Sequence, residues 1–258
     1  MTDTSQLPRH ALITGAAHRI GAYLAKELAA DGFAVVIHYN RSSDGAKALQ
    51  AEIRNAGGTA EILQADLTQE DDVQKLLPAA ENALGGPLGL LINNASLFEH
   101  DDAQTATRAS WDAHMEANLR APFVLSQNFA AALPETAEGL IINLLDQRIW
   151  KLTPQFVSYT LSKTGLWTLT QTLAQGLAPR IRVNAIGPGP TLRNARQTQA
   201  HFQKQLDGVV LERGPDLSEF IEAVRFMLTA RSMTGQMIAL DGGQHLGWQT
   251  PDIVGIVE

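Results

Sequence analysis

Apolar runs and helical stretches alternate along the whole of this chain. Runs of five to seven mostly apolar residues fall at 10–14, 34–38, 59–64, 88–93, 139–145, 180–186 and 236–240. Short runs of this kind suit strands buried on both faces, and their alternation with helices predicts a parallel sheet covered on both sides. The expected fold is α/β: a single Rossmann-type doubly wound parallel sheet of about seven strands, with helices on both faces. No composition break, repeat or low-complexity run divides the 258 residues, so 9–258 reads as one domain and 1–8 as a short flexible tail.

Composition narrows the function by exclusion. A formal charge of −7 argues against a nucleic-acid partner, because a phosphate backbone selects basic surfaces. Zero cysteines exclude disulfides, thiol catalysis and cysteine–metal sites. The histidines are scattered without an HExxH-like pair, so no metal is expected. Neither a signal-peptide core nor an uninterrupted apolar run of about 18 residues is present, which points to a soluble cytoplasmic protein with no membrane partner.

Four segments carry candidate chemistry. HALITGAAHRIGAYLAKEL reads as a strand, a glycine turn and a helix; Gly15 permits the turn and Gly21 close helix packing, leaving backbone N–H groups aimed at an anion. The usual dinucleotide fingerprint has a third glycine between these two, where this chain has Arg19. LGLLINNASLF runs from a strand into Asn93, Asn94, Ala95 and Ser96, small polar residues that suit a ligand crevice. IRVNAIGPGPT ends in Gly187, Pro188, Gly189 and Pro190, too many breakers to continue an element, and reads as a shaped loop. In YTLSK, Tyr159 and Lys163 stand four apart on one helix face, where the ammonium favours the phenolate and lowers the cost of proton release.

Together these segments resemble the short-chain dehydrogenase/reductase family: TGAAHRIG, Asp66 in QADL, NNA at 93–95, Asn118 in EANLRAPF, YTLSK and the GPG loop follow in family order over roughly residues 8–247. The resemblance implies that Tyr159 donates the proton, Lys163 holds the ribose and lowers the tyrosine pKa, and Asn118 anchors a relay water. It places the dinucleotide against Gly15, His18, Arg19, Ile20, Gly21, Asn94, Ala95, Ser96, Pro188 and Gly189, with Asp66 and Leu67 at the adenine. The end of the second strand selects the cofactor. An acidic residue there would repel a 2′-phosphate, but this chain has Asn40, Arg41 and Ser42. With Arg19 approaching from the other side, two guanidiniums and a hydroxyl suit a dianion, so NADPH is expected.

One departure from the family pattern bears on the substrate. Most members carry a serine thirteen residues before the tyrosine, donating to a carbonyl oxygen; position 146 here is aspartate. An ionised carboxylate has no proton to donate, and Ser158 adjoins the tyrosine and points elsewhere. Asp146, Arg19, Arg41-Ser42 and the NNAS segment with Phe98 after it resemble the pteridine reductase branch. That implies a flat pterin between Phe98 and the nicotinamide, in contact with Ser96, Asp146 and Tyr159, and reduction of a C=N bond of dihydromonapterin, dihydrobiopterin or dihydrofolate. Residues 191–213 read as a mobile helical lid, in which Arg193, Arg196 and Lys204 suit a solvated face better than an acidic substrate tail. Trp248, Ile253, Val254 and Ile256 near the end resemble a tail packed across a subunit interface, and by analogy a homotetramer is expected. Two alternatives stand beside this reading: a carbonyl or 3-oxoacyl reductase with Asp146 protonated by burial, and an NADPH-binding sensor without catalysis.

Overall fold

Successive residues of a strand point to opposite faces, and here both sets are apolar. The computed structural model describes residues 7–193, 196–250 and 253–255. Among them, seven strands form one sheet: β1 (His10–Ile13), β2 (Ala34–Tyr39), β3 (Thr59–Gln64), β4 (Leu90–Asn93), β5 (Gly139–Leu144), β6 (Ile181–Pro188) and β7 (Met237–Leu240). Every neighbouring pair is parallel, in the order β3-β2-β1-β4-β5-β6-β7. The helices are α1 (Arg19–Ala30), α2 (Ser43–Asn55), α3 (Glu70–Leu84), α4 (Arg108–Met115), α5 (Ala121–Ala132), α6 (Val157–Gly176), α7 (Gln199–Asp207) and α8 (Leu217–Thr229).

Ile13, Val35, Ile37, Ile92 and Ile142 pack with Leu24 and Leu28 of α1, Ile53 of α2 and Phe220 and Val224 of α8. The intervening residues Leu12, Val36, Leu91, Ile141 and Val183 pack with Leu76 and Leu77 of α3, Leu125 and Phe129 of α5 and Ala174 of α6. Each fully buried large side chain contributes roughly 1.5–3 kcal/mol, so both helical layers stabilise the sheet. Strand order reverses between β1 and β4, and the crevice above their carboxyl ends is where open α/β sheets bind ligands.

The structure corrects several expected boundaries. β6 continues through Gly187 and Pro188, which pair with Ala239 and Leu240 of β7. Proline is tolerated because the N–H groups of Ala185 and Gly189 bond to β7, whereas position 188 faces the β5 side, where pairing stops at Leu144 and Ile186. Leu7 packs on the core and Pro8 lies against Gly89, so the tail is anchored by these two residues; residues 1–6 lie outside the described ones. Among the described residues of the expected lid, the helix is the nine-residue α7, started by Thr198 accepting from the His201 N–H and ended at Gly208, with Val209 buried behind it. Residues 194–195 lie outside the described part of this segment, as does Ile256 of the expected interface tail.

Candidate active site

The turn after β1 and the loop after β4 are locked together, which explains both glycines. Gly15 has φ +62°, and a Cβ there would lie 2.8 Å from Ala95 Cα; a Cβ on Gly21 would lie 2.4 Å from Asn94 Nδ2. The Asn94 amide donates to the carbonyls of Thr14 (2.8 Å) and Gly15 (3.0 Å), and its backbone N–H donates to Thr14 Oγ1 (3.0 Å). His38 of β2 completes the turn: Nδ1 accepts the Gly15 N–H at 3.0 Å, while Nε2 faces the Ala65 carbonyl at 3.1 Å. Burial lowers its pKa from 6.5 to about 4, which keeps the imidazole neutral and Nδ1 free to accept.

A cleft of about 710 Å³ opens over this turn, lined by Gly15, His18, Arg19, Ile20 and Gly21, by Asn40, Arg41 and Ser42, by Asp66 and Leu67, and by Asn94, Ala95 and Ser96. Asp66 is held below the usual carboxylate range, chiefly by the Thr68 N–H, with Asn40 and Arg41 also contributing. A glycine cradle that a Cβ would fill, followed by Arg41 and Ser42, fits an anionic nucleotide. Arg19 lines the same cleft. It adopts φ +58°, a left-handed backbone costing about 1–2 kcal/mol outside glycine, and donates to the Leu192 (2.8 Å) and Arg193 (2.9 Å) carbonyls. Its guanidinium thus clasps the segment after β6 at the edge of the cleft that Arg41 also lines.

A second cleft of about 280 Å³ shares Arg19, Ile20, Asn94 and Ser96 with the first and contains Phe98, Asp146, Tyr159, Lys163, Pro188 and Gly189. Asp146, at the end of β5, caps the turn that follows: one oxygen accepts the Arg148 N–H and the other the Tyr159 hydroxyl, both at 2.8 Å. Lys163 Nζ donates to the Leu144 carbonyl at 2.7 Å and lies 5.9 Å from the Tyr159 ring centroid. Burial first, and Asp146 second, push the Tyr159 phenol well above its usual value, and burial raises the Asp146 carboxyl. Burial lowers Lys163 to about 8, against the pull of Asp146. Burial and the Asp146 carboxylate outweigh the pull of Lys163 towards the phenolate, so the phenol holds its proton in this arrangement.

Asn118, expected to anchor a relay water, is fixed in place by its own hydrogen bonds. It lies on a π-type turn (Glu116–Arg120) between α4 and α5, fully buried. Its amide is spent on protein: Oδ1 accepts the Leu97 N–H (2.8 Å), and Nδ2 donates to the Leu97 carbonyl (2.9 Å) and Ser162 Oγ (3.1 Å). The side chain therefore holds the loop carrying Phe98.

Phe98 borders the second cleft with one face stacked on Phe156 (centroids 4.3 Å apart, 11° between planes) and its edge region against Tyr159 (4.6 Å). An Arg148 guanidinium lies over both phenylalanines and Arg196 over Phe98. Arg196 also bonds Glu99 (2.6 Å) and the Phe98 carbonyl, tying the lid segment to the loop after β4, and Arg193 bonds the Gln197 carbonyl (2.6 Å) within the segment. Trp150 packs edge-on against His245, 5.0 Å away. Sequence reasoning missed His38, Gln147, Arg148, Phe202, Gln205 and Gln244, all of which line the clefts. None has a motif; only Arg148, two positions after Asp146, carried a local signal.

Comparison with known proteins gives the family of the chain. The family model for short chain dehydrogenases matches residues 9–204. The 3-oxoacyl-[acyl-carrier-protein] reductase FabG of Staphylococcus epidermidis is 30% identical over 244 residues, 92% of this chain and 99% of that protein. The dihydromonapterin reductase of Klebsiella pneumoniae is 29% identical, covering 93% of this chain and 98% of that protein. A crystal structure of FolM alternative dihydrofolate reductase 1 from Brucella canis, complexed with NADP, is 50% identical with TM-score 0.93, covering 97% of this chain and all (100%) of that one.

Proposed function

The chain belongs to the short chain dehydrogenase family, and from that premise we propose that it is an NADPH-dependent reductase of a dihydropterin C=N bond. The observation that carries the reading is Asp146, a hydrogen-bond acceptor for Tyr159 where the family resemblance expects a serine donor. Such a site suits a substrate ring that presents N–H groups better than one that presents a carbonyl oxygen. Half of the residues are shared with the Brucella protein described as an alternative dihydrofolate reductase and solved with NADP, which supports both cofactor and substrate class.

Gly15, Gly21, Asn94 and Ala95 shape the cofactor cradle, Arg41 and Ser42 receive the 2′-phosphate, and Asp66 lies at the adenine end. When bound, NADPH supplies a hydride to the C=N carbon. Tyr159 holds a proton at its Oη for the adjacent ring nitrogen. Asp146 keeps that phenol protonated and orients it, and accepts a pterin N–H with its remaining lone pairs. Lys163 steadies the ribose and stabilises the phenolate left by proton transfer. Phe98 supplies one aromatic wall, an offset stack contributing about 0.5–1.5 kcal/mol beyond its area. The exposed Phe226, Trp248, Ile253 and Val254 support a homotetramer. Among the described residues no helix is long and apolar enough to cross a membrane, and work in the cytoplasm is part of the proposal.

A carbonyl reductase is the second reading, favoured by the FabG relative and by the raised pKa of Asp146, since a protonated carboxyl donates to a ketone. The proton-donor role is tested with Tyr159→Phe on dihydrobiopterin. Loss of at least about 100-fold in kcat with NADPH affinity unchanged is expected. Turnover close to wild type would remove Tyr159 from the chemistry.

A further inference from the structure

Behind the catalytic tyrosine lies a polar chain that the chemistry above does not use. Asp101, His114 and Ser158 are each at most 1% exposed. Asp101 is in the loop after β4, three residues beyond Phe98; His114 is on α4; Ser158 is on α6, immediately before Tyr159. The Glu99 N–H donates to His114 Nε2 at 3.1 Å, so in the neutral imidazole the proton sits on Nδ1. Nδ1–H then donates to Ser158 Oγ at 2.7 Å, and Ser158 donates to Asp101 Oδ2. Asp101 also takes the Ser158 N–H at 3.2 Å with Oδ1, and its carbonyl takes the Phe156 N–H at 2.6 Å. Asp101 Oδ2 also takes the Ser110 hydroxyl at 3.4 Å, and the chain runs in a single direction from Glu99 through His114 and Ser158 to Asp101.

Both of its ends lie on the loop that carries Phe98, and its middle member, Ser158, lies on α6 beside Tyr159, so it joins two elements that border the substrate cleft. Phe156, at the start of α6, has φ +59° and stacks on Phe98, whose edge meets Tyr159. A non-glycine residue holds that backbone only where its surroundings over-determine it, and the Phe156–Asp101 bond is one such constraint. We propose that Asp101, Ser158 and His114 are positioning residues that lock the Phe98 loop to the catalytic helix and so set the affinity for the aromatic substrate. The proposal rests on the reading that the substrate ring binds on Phe98.

Polarity makes the relay sensitive to protonation. The charged groups facing His114 are Glu99 and Asp101 from the loop, and the titratable group facing it from α6 is Tyr159, with ring centroids 6.1 Å apart. Burial holds the imidazole below its usual 6.5, against the pull of the two carboxylates. Protonation at Nε2 would set two donors against each other at the Glu99 N–H, releasing the loop. Asp101→Asn produces the same conflict from the other end: an amide N–H facing Ser158 reverses the hydroxyl and then the tautomer.

The test combines kinetics and amide exchange on purified full-length protein. Ser158→Ala and Asp101→Asn should raise the KM for dihydrobiopterin about tenfold, the effect of one lost buried hydrogen bond. The kcat and the KM for NADPH should stay within about twofold, and Ser158→Thr, which keeps the hydroxyl, should restore most of the affinity. Amide exchange across residues 97–102 should quicken in Ser158→Ala. In wild type the substrate KM should rise as pH falls below 6.5, and His114→Gln should remove that inflection. Unchanged exchange at 97–102, or equal losses for substrate and NADPH, would overturn the relay. A wild type inert on dihydrobiopterin would instead overturn the substrate reading, and the exchange experiment alone would then decide the relay.

Discussion

Replacing Asp146 by serine restores the residue that the wider family pattern expects, and the structure gives the size of the effect. Serine caps a turn about as well as aspartate, so the bond to the Arg148 N–H survives and the fold should lose little. What disappears is the acceptor for the Tyr159 hydroxyl, now 2.8 Å away, and the acceptor for a substrate N–H. A hydrogen bond to a charged group contributes about 1.5–3 kcal/mol, so kcat/KM for a dihydropterin should fall about ten- to 150-fold. The new hydroxyl donates to a carbonyl oxygen, so kcat/KM for a cyclic ketone should rise. Tyr159 also loses the carboxylate that raises its pKa, and the alkaline limb of the pH profile should move to lower pH. The assay is the ratio of kcat/KM for dihydrobiopterin to that for a ketone in both proteins, from the loss of nicotinamide absorbance. An unchanged ratio with an unchanged alkaline limb would refute the reasoning.

Arg41→Ala should weaken NADPH about ten- to 150-fold by fluorescence titration and leave NADH unchanged; equal losses would remove the phosphate assignment. Gly21→Ala should cost about 1–3 kcal/mol in denaturant unfolding and abolish most NADPH binding, because the added methyl drives the Asn94 amide off Thr14 and Gly15. His38 predicts an acid-side loss of stability. The unfolded chain takes up this proton below 6.5 and the folded one only below about 4, so stability should fall by up to about 3 kcal/mol as pH drops through that window. Urea midpoints measured across it should slope in wild type, and a slope unchanged in His38→Gln would contradict the assignment.

The sheet was legible because both faces of its strands are apolar, which leaves continuous runs such as LGLLIN and GLIINLL in the sequence. The end of β6 was not, because the tolerance of Pro188 depends on where its neighbour β5 stops. The turn after β1 and the cleft above it were legible from Gly15, Gly21 and Asn94, whose small size and polarity are local properties. The direction of the Tyr159 shift was not: the nearby Lys163 is visible in the sequence, but the burial and the Asp146 bond that outweigh it are tertiary. The Arg19 clasp and the Asp101–Ser158–His114 relay span residues far apart in the chain and have no motif.

The central claim is tested most directly by offering the purified protein NADPH with dihydrobiopterin, dihydromonapterin and dihydrofolate, beside cyclic ketones and 3-oxoacyl thioesters. The account predicts NADPH consumption matched by a tetrahydropterin product, with ketones at least about 100-fold poorer in kcat/KM, the discrimination available to a site whose buried acceptor a ketone leaves unpaired. Turnover of ketones or thioesters with none of the pterins would contradict it and leave Asp146 acting as a protonated donor.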